Sequence, residues 1–240
     1  MIAAIMQPYF FPYIGYFQLM NAVDIFILYD DAQYMKGGWI NRNRILVNRA
    51  PAWLTLPIRS ASLKLPINQR HYLLAPDVTD AIKMRLQACY QKAPAYDVMY
   101  PFLCDLFDYA DSNVAAFNAN LLIALARKLG VTCRFLSSSS MDNCTDLKGQ
   151  AKVIDLCRRI GADHYINPIG GLKLYDDAAF SEEGIQLHFL QANPSHYAQF
   201  GAEPLPFLSI IDVLMFNSIE QTRTMLDDYR LVTPEKVSPH

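Results

Sequence analysis

Residues 2–31 read IAAIMQPYFFPYIGYFQLMNAVDIFILYDD, and this stretch decides the fold class. A short apolar run at residues 2–6 is followed by a loop with two prolines, which exclude a regular helix there. Residues 16–22 can form a short helix, and residues 24–29 are rich in β-forming side chains. A strand, a loop, a helix and a second strand in this order predict the opening βαβ unit of a parallel sheet.

The rest of the chain continues this alternation. The predicted elements are a β-hairpin of strands 45–48 and 53–57, a mostly helical segment 78–130, strands 131–136, 165–166 and 185–190, and helices 147–160 and 207–217. They indicate an α/β fold with a three-layer doubly wound, mostly parallel sheet, nucleotidylyltransferase-like or Rossmann-like, carrying a β-hairpin and a helical insertion. We expect a single domain over residues 1–235, with a basic elaboration at about residues 36–92 and a flexible tail at residues 236–240.

Composition excludes several classes of protein. The chain has 240 residues, 52% of them hydrophobic, and a formal net charge of −2, so nucleic acid is not an expected partner. Charges and prolines interrupt every apolar run before about 18 residues, and we therefore expect no membrane span. The five cysteines show no CxxC spacing, and the N-terminus lacks a secretory signal pattern. These features predict a cytoplasmic protein with reduced thiols, and they leave a homodimer open.

Charge is concentrated in one region. Residues 36–92 hold ten basic and two acidic side chains, a net charge of +8, so the remainder carries −10. One interpretation is a solvated surface. The other is a basic wall that faces an anionic ligand, such as a diphosphate or an acidic carrier protein.

The loop after the first predicted strand is the strongest candidate for a ligand site. Open α/β sheets bind ligands at the carboxyl ends of their strands. Gly15 permits close approach of a ligand to the backbone, and the helix that follows offers free N–H groups to an anion. Gln7, Tyr9, Tyr13 and Tyr16 would surround the ligand with hydrogen-bonding edges and flat faces. The spacing is similar to the His-x-Gly-His motif of nucleotidylyltransferase-like enzymes, but tyrosines stand in place of both imidazoles.

Asp30 and Asp31 follow the second predicted strand at the same edge of the sheet. Two carboxylates could hold a metal such as Mg²⁺, act as a general base or accept hydrogen bonds from a sugar. If the strand continued through them, at most one would face a given pocket, because successive side chains point to opposite faces. Side chains of types common in sugar and phosphate sites follow: Gln33, Trp39, Asn41, Arg42 and Arg44.

A third loop follows the short strand at residues 165–166. It carries Asn167, Gly170 and Gly171 and precedes Tyr175. The glycine pair forms either an ordinary turn or a second loop that approaches a phosphate. No histidine has a partner at metal-ligand spacing, so we predict no resident metal. Asp212 lies in an apolar predicted helix and therefore needs a hydrogen-bonding partner or a function.

Taken together, these blocks resemble the WbqC-like protein family, and they span nearly the whole chain. The blocks are residues 7–17 (QPYFFPYIGYF), 30–34 (DDAQY), 39–45 (WINRNRI), 53–57 (WLTLP), 165–168 (YINP) with the glycine pair at 170–171, and 208–212 (LSIID). Many family members carry a histidine before the Gln-Pro and a tryptophan after the second proline, where this chain has Met6 and Tyr13. The family's usual context is bacterial surface-polysaccharide gene clusters. The resemblance therefore implies modification of a nucleotide-linked or carrier-linked sugar.

Our first hypothesis is a transferase that attaches an acyl or aminoacyl group to an amino sugar, with an acyl-CoA or an acyl carrier protein as donor. Arg42 and Arg44 would hold phosphates, while Trp39 and the three tyrosines pack the sugar or base. Asp30 or Asp31 would be the general base, and Gln7 with Asn167 would orient the carbonyl. The second hypothesis is nucleotidyl transfer on the same fold, and the third is a non-catalytic scaffold of a sugar-modifying complex.

Overall fold

Eight strands and eight helices make up the computed structural model, which describes residues 1–141, 146–193, 196–201 and 203–234. The strands are β1 (Ile2–Met6), β2 (Ile25–Leu28), β3 (Arg42–Val47), β4 (Ala50–Thr55), β5 (Arg134–Ser137), β6 (His164–Pro168), β7 (Gln186–Ala192) and β8 (Tyr229–Val232). The helices are α1 (Ile14–Asn21), α2 (Pro76–Tyr90), α3 (Tyr96–Phe107), α4 (Val114–Lys128), α5 (Gly149–Ile160), α6 (Asp177–Glu182), α7 (Ile210–Phe216) and α8 (Ile219–Met225). Short 3-10 turns lie at Ile67–Gln69, Ser138–Ser140 and Ile169–Leu174.

Six of the strands form one sheet in the order β5-β2-β1-β6-β7-β8. All neighbours pair in parallel except β7 and β8, which pair antiparallel at the edge. The chain passes from β1 to β2 and β5 on one side and returns to β6 on the other. The carboxyl ends of β1 and β6 therefore flank the topological switch point, where such sheets bind ligands.

Alternating side chains on β1 divide the core into two layers. Ala3 and Ile5 belong to a core shared with α5 and α6, whereas Ala4 belongs to a core shared with α1 to α4 and α7. Since successive strand residues point to opposite faces, helices cover both sides of the sheet. The predicted α/β class, with three layers and a mostly parallel sheet, is confirmed.

The β3–β4 hairpin and three helices fill the crossover from β2 to β5, as predicted from the strand pattern at 45–57 and the helical pattern at 78–130. The hairpin turn consists of Asn48 and Arg49, both in the left-handed region with φ of 50° and 63°. Two such residues suit the two-residue turns that join twisted antiparallel strands. The observed strands begin three residues earlier than predicted, because the pairing runs from Val47 with Ala50 at the turn to Arg42 with Thr55 at the open end.

Some predicted boundaries were wrong. The predicted helix 207–217 begins only at Ile210, because Phe207 is left-handed (φ 58°) and Ser209 caps the helix through the Ile211 N–H. The strand predicted at 131–136 lies at 134–137, after a turn at Gly130 (φ 79°). Helices α6 and α8 and strand β8 were not predicted, because each is short and has little periodicity. The predicted tail at 236–240 lies outside the described residues.

The composition predicted reduced cysteines and no membrane span. Cys89, Cys104, Cys133 and Cys157 are free thiols, and Cys144 lies outside the described part of the chain. Among the described helices, none is both long enough and apolar enough to cross a membrane.

Candidate functional site

The loop after β1 forms one wall of a pocket of about 180 Å³, which we call the aromatic pocket. Its lining residues are Tyr9, Pro12, Tyr13, Trp39, Asn43, Arg44 and Phe207. They come from three distant parts of the chain: the β1–α1 loop, the start of the hairpin, and the segment before α7. Four of the predicted site residues, Tyr9, Tyr13, Trp39 and Arg44, meet in this pocket.

Hydrogen bonds between distant residues hold these three segments together. The buried Asn43 side chain donates to the carbonyls of Phe10 (3.2 Å) and Phe11 (2.9 Å). The Ser209 hydroxyl also donates to the Phe11 carbonyl (2.7 Å), and the Ser209 N–H donates to the Arg44 carbonyl (2.8 Å). The walls of the pocket are therefore fixed by the fold rather than by a mobile loop.

Two non-glycine residues beside the pocket have left-handed backbones, Phe11 (φ 40°) and Phe207 (φ 58°). Each such residue costs about 1–2 kcal/mol relative to ordinary backbone. The Phe11 ring is fully buried and stacks on Phe107, which offsets that cost. The Phe207 ring remains 48% exposed and packs edge-on against Tyr13. An exposed aromatic ring held in a strained conformation at a pocket rim is typical of a ligand contact.

Arg44 is the cation of this pocket. Its guanidinium lies 5.9 Å from the ring centre of Trp39, and its Nε is buried without a hydrogen-bond partner among the described residues. Within the same residues no carboxylate lies at ion-pair distance from it. A half-buried cation with an unused donor favours an anionic ligand group, such as phosphate or carboxylate.

Tyr9 and Tyr13 are the two tyrosines that line the pocket. Burial raises the pKa of both tyrosines, so each remains a neutral donor and acceptor at physiological pH. Gly15 does not line the pocket, because the Tyr13 ring covers it: a Cβ atom on Gly15 would lie 2.3 Å from Cε2 of Tyr13. Tyr16 is fully buried, and its hydroxyl donates to the Gln7 carbonyl (2.7 Å), so it supports the loop from below.

Arg42 lies beside the pocket rather than in its lining. Its Nη2 donates to the Gly37 carbonyl and its Nε to the Gly38 carbonyl, while the guanidinium stacks 4.1 Å over Trp53. Trp53 in turn lies 5.5 Å from Trp39, so the two indoles are neighbours, with Arg42 over Trp53 and Arg44 over Trp39.

Two other predicted binding residues make hydrogen bonds within the fold. Asn41 accepts from the Tyr34 hydroxyl (3.1 Å) and donates to the Leu56 carbonyl (3.0 Å). The Gln33 amide donates to the Leu63 carbonyl (3.4 Å). Neither residue lines the aromatic pocket.

Asp30 and Asp31 belong to a separate cluster at the ends of β2 and β5. Asp30 accepts from the Ser138 hydroxyl (3.0 Å) and from the backbone N–H (2.9 Å) and hydroxyl (2.5 Å) of Ser139. Asp31 accepts from Ser138 (2.5 Å) and forms an ion pair with the buried Lys152 (2.6 Å). Both carboxylates reach Ser138, because β2 ends at Leu28 and strand alternation no longer applies.

Asp30 lines a polar cavity to whose lining Asp31 does not contribute. That polar cavity has a volume of about 360 Å³, and its polar lining residues are Asp30, Asn68, Asn113, Ser137 and Ser139. It shares no lining residue with the aromatic pocket. The serines at 137–140 lack the Gly-x-Ser-x-Gly frame of a nucleophile elbow, so no motif marks them in the sequence. No local pattern marks Lys152 either, because its partner Asp31 is 121 residues away.

The loop after β6 completes the ligand edge of the sheet. Asn167 is buried, accepts from the Tyr165 hydroxyl (3.1 Å) and donates to the Pro168 carbonyl (3.3 Å). A Cβ atom at Gly171 would lie 1.8 Å from Asn167 Nδ2. The space that this glycine leaves free is therefore occupied by the Asn167 side chain and not by a ligand. Gly170 has open space around its Cα, and the Tyr175 hydroxyl lies 3.4 Å from that of Tyr165. No group of three or more histidine, cysteine or carboxylate side chains in the described part of the chain could hold a metal.

Comparisons with known proteins agree with this assignment of motifs. The family model of the WbqC-like protein family matches residues 7–224. The uncharacterized protein Rv1507c of Mycobacterium tuberculosis is 30% identical over 219 residues, which cover 89% of this chain and 92% of that protein. No solved structure matches. The match covers most of the chain, and the residues that line the aromatic pocket lie within it. The chain therefore belongs to the WbqC-like protein family.

Proposed function

We propose that this chain is a transferase of bacterial surface-polysaccharide biosynthesis that attaches an acyl or aminoacyl group to a nucleotide-linked or carrier-linked amino sugar. Membership of the WbqC-like family suggests a role in polysaccharide biosynthesis. The observation that carries the proposal is Arg44, a half-buried cation with an unused donor inside an aromatic pocket. Aromatic faces suit a sugar ring, and a guanidinium suits the phosphate attached to it.

The size of the aromatic pocket suits a substrate of which only one part enters the pocket. Its volume of about 180 Å³ lies below the roughly 300–1,000 Å³ of sites that enclose a drug-sized ligand. It therefore suits one sugar ring or phosphate group, while the rest of the molecule extends over the hairpin. Trp39 and Trp53 are 38% and 41% exposed there, so part of each side chain is open to such an extension.

For the chemical step we assign the general base to Asp30 rather than Asp31. Asp30 lines a cavity, whereas Asp31 is engaged by Lys152 and would position the cluster. Gln7 directly follows β1 and Asn167 lies near the carboxyl end of β6, the two strands at the switch point, and both would orient the carbonyl of the donor. Because the two cavities share no lining residue, this assignment requires a substrate that extends along the carboxyl edge of the sheet.

Binding of UDP- and dTDP-amino sugars, measured by calorimetry, tests the proposal. Wild-type protein is expected to bind one of them, and Arg44→Ala to bind it at least about tenfold more weakly, because a charge-assisted contact is lost. Arg59→Ala removes an exposed arginine of the same basic region and serves as the matched control. Equal affinity in wild type and Arg44→Ala would contradict the proposed site.

Catalysis needs its own experiment. Wild type incubated with the bound sugar and an acyl-CoA or acyl-carrier donor is expected to yield an acylated sugar, detected by mass spectrometry. Asp30→Asn should bind the sugar but lose turnover by about a hundredfold or more, as expected for a missing general base. Pyrophosphate release from ATP or CTP instead would indicate nucleotidyl transfer. Failure to bind any sugar nucleotide would leave the scaffold hypothesis in its place.

A further inference from the structure

A third cavity lies at the tip of the hairpin and shares no lining residue with the aromatic pocket or the polar cavity. It has a volume of about 560 Å³, within the range of small-molecule sites. We call it the hairpin-tip pocket. Its charged lining residues are Arg49, Arg85 and Lys92, and no carboxylate lines it. Leu46, Val47 and Phe200 contribute an apolar wall.

The three cations of this pocket are not neutralised within the described residues. None of them forms an ion pair there. Arg85 also borders a neighbouring groove that contains Asp77, yet the two side chains are not at ion-pair distance. All three side chains are exposed, and three like charges around one concavity create a positive potential that favours an anion.

The backbone at Arg49 provides an independent observation. Arg49 occupies the second position of the hairpin turn with φ of 63°, where glycine is the favoured residue. Its side chain folds back toward Gly201, where a Cβ atom would lie 3.8 Å from Arg49 Cδ. An arginine at a strained turn position that lines a cavity with two further cations is an arrangement that suits an anionic ligand.

We propose that the hairpin-tip pocket binds an organic diphosphate. Its phosphates would contact Arg49, Arg85 and Lys92, and its organic portion would cover the apolar wall. The concave shape and the apolar wall favour a small ligand over an acidic protein surface. The site is separate from the sugar site and does not depend on the function proposed above. If that function holds, a diphosphate-bearing donor such as a coenzyme A thioester is the natural occupant.

Calorimetry at low salt with inorganic pyrophosphate, ADP and coenzyme A tests this site. Pyrophosphate is expected to bind weakly, and one of the organic probes more tightly, because only they can cover Leu46, Val47 and Phe200. Tighter binding of coenzyme A than of ADP would identify the pantetheine arm as part of the ligand, and the reverse would identify a nucleotide. If none of the three binds, or if the organic probes bind no more tightly than pyrophosphate, the proposal is overturned.

Two double variants with the same net charge separate the pocket from general electrostatics. Arg85→Ala with Lys92→Ala should weaken binding by about tenfold or more, since two charge-assisted contacts are lost. Arg59→Ala with Lys64→Ala removes two exposed cations of the same region and should change it by less than about twofold. Equal effects of the two pairs would overturn the site. Ala88→Trp keeps all three cations but fills the cavity, and it should also weaken binding.

Arg49→Gly separates a role of Arg49 in binding from a role in stability, because the two roles predict different changes in melting temperature and in affinity. Glycine relieves the left-handed strain, so the melting temperature should rise by about 2–4 °C while diphosphate binding weakens. A lower melting temperature, or unchanged binding, would contradict the role of Arg49. Arg44→Ala should leave pyrophosphate binding intact, and the Arg85/Lys92 pair should leave amino-sugar binding in the aromatic pocket intact. Failure of one site is therefore distinguishable from failure of the other.

Discussion

Gly15 makes room for the ring of Tyr13, since a Cβ atom on Gly15 would lie 2.3 Å from Cε2 of that ring. The glycine thus acts on the aromatic pocket through a neighbouring side chain. The atoms that would collide belong to the far end of Tyr13, so the ring can move aside. The pocket should lose a wall while the fold survives.

Gly15→Ala is therefore expected to weaken sugar binding with little loss of stability. Displacing one aromatic contact should cost about 0.5–1.5 kcal/mol of binding free energy, measured by calorimetry beside the melting temperature. The control is a double-mutant cycle with Tyr13→Ala. In that background Gly15→Ala should have no further effect, because the ring it displaces is already gone. Independent, additive losses would contradict the mechanism.

Gly171→Ala should instead destabilise the fold. The new Cβ would lie 1.8 Å from Nδ2 of the buried Asn167, which cannot move into solvent as Tyr13 can. Overpacking of this kind costs about 1–3 kcal/mol of unfolding free energy, measurable by urea denaturation. Gly170→Ala is the matched control, because nothing lies within 4 Å of its added Cβ. Similar losses in the two variants would show that the Asn167 contact is not the cause.

Removing only one partner of the ion pair between Lys152 and Asp31 is predicted to lower the free energy of unfolding strongly. The Lys152 side chain is 4% exposed, so Asp31→Asn leaves a buried charge without its partner and should cost about 3–5 kcal/mol of unfolding free energy. The double variant Asp31→Asn with Lys152→Met should recover much of that loss. Glu183→Gln breaks the exposed pair with Arg158, whose side chain is 62% exposed, and should cost less than about 1 kcal/mol. A double variant no more stable than Asp31→Asn would disprove the charge argument.

Asp212 should make the free energy of unfolding depend on pH. Burial raises the pKa of its carboxyl group, although Tyr197, Tyr90 and Gln199 donate hydrogen bonds to it. The folded state therefore holds this proton more tightly than the unfolded state. Its contribution is complete below the unfolded pKa of about 4 and is lost as pH rises through the folded value.

Asp212→Asn removes this titration. The stability of the variant relative to wild type should improve steadily as pH rises from about 4 to about 7, because only the wild type loses stability through this group. Urea denaturation of both proteins across that range measures the difference, in which other titrating groups cancel. A difference that does not change with pH, or that changes in the opposite direction, would contradict the raised pKa.

Local pattern alone determined most of the layer architecture. The apolar runs and prolines of residues 2–31 predict β1, α1 and β2 because they depend on neighbours a few residues apart. The predicted helical segment 78–130 corresponds to α2, α3 and α4, which begin two residues earlier, at Pro76, for the same reason of local pattern. The motif blocks were also enough to identify the family, since they preserve residue types at fixed spacing.

Only the tertiary structure decided which of the candidate residues share a cavity. The Ser209 hydroxyl bonds the Phe11 carbonyl across 198 residues, and this contact brings Phe207 to the rim of the aromatic pocket. Asp30 reaches Ser139 across 109 residues and thereby faces a different cavity from Arg44. Contacts between distant residues depend on how whole elements pack, and no local periodicity encodes them. The sequence therefore determined which side chains were candidates, and packing decided which of them meet.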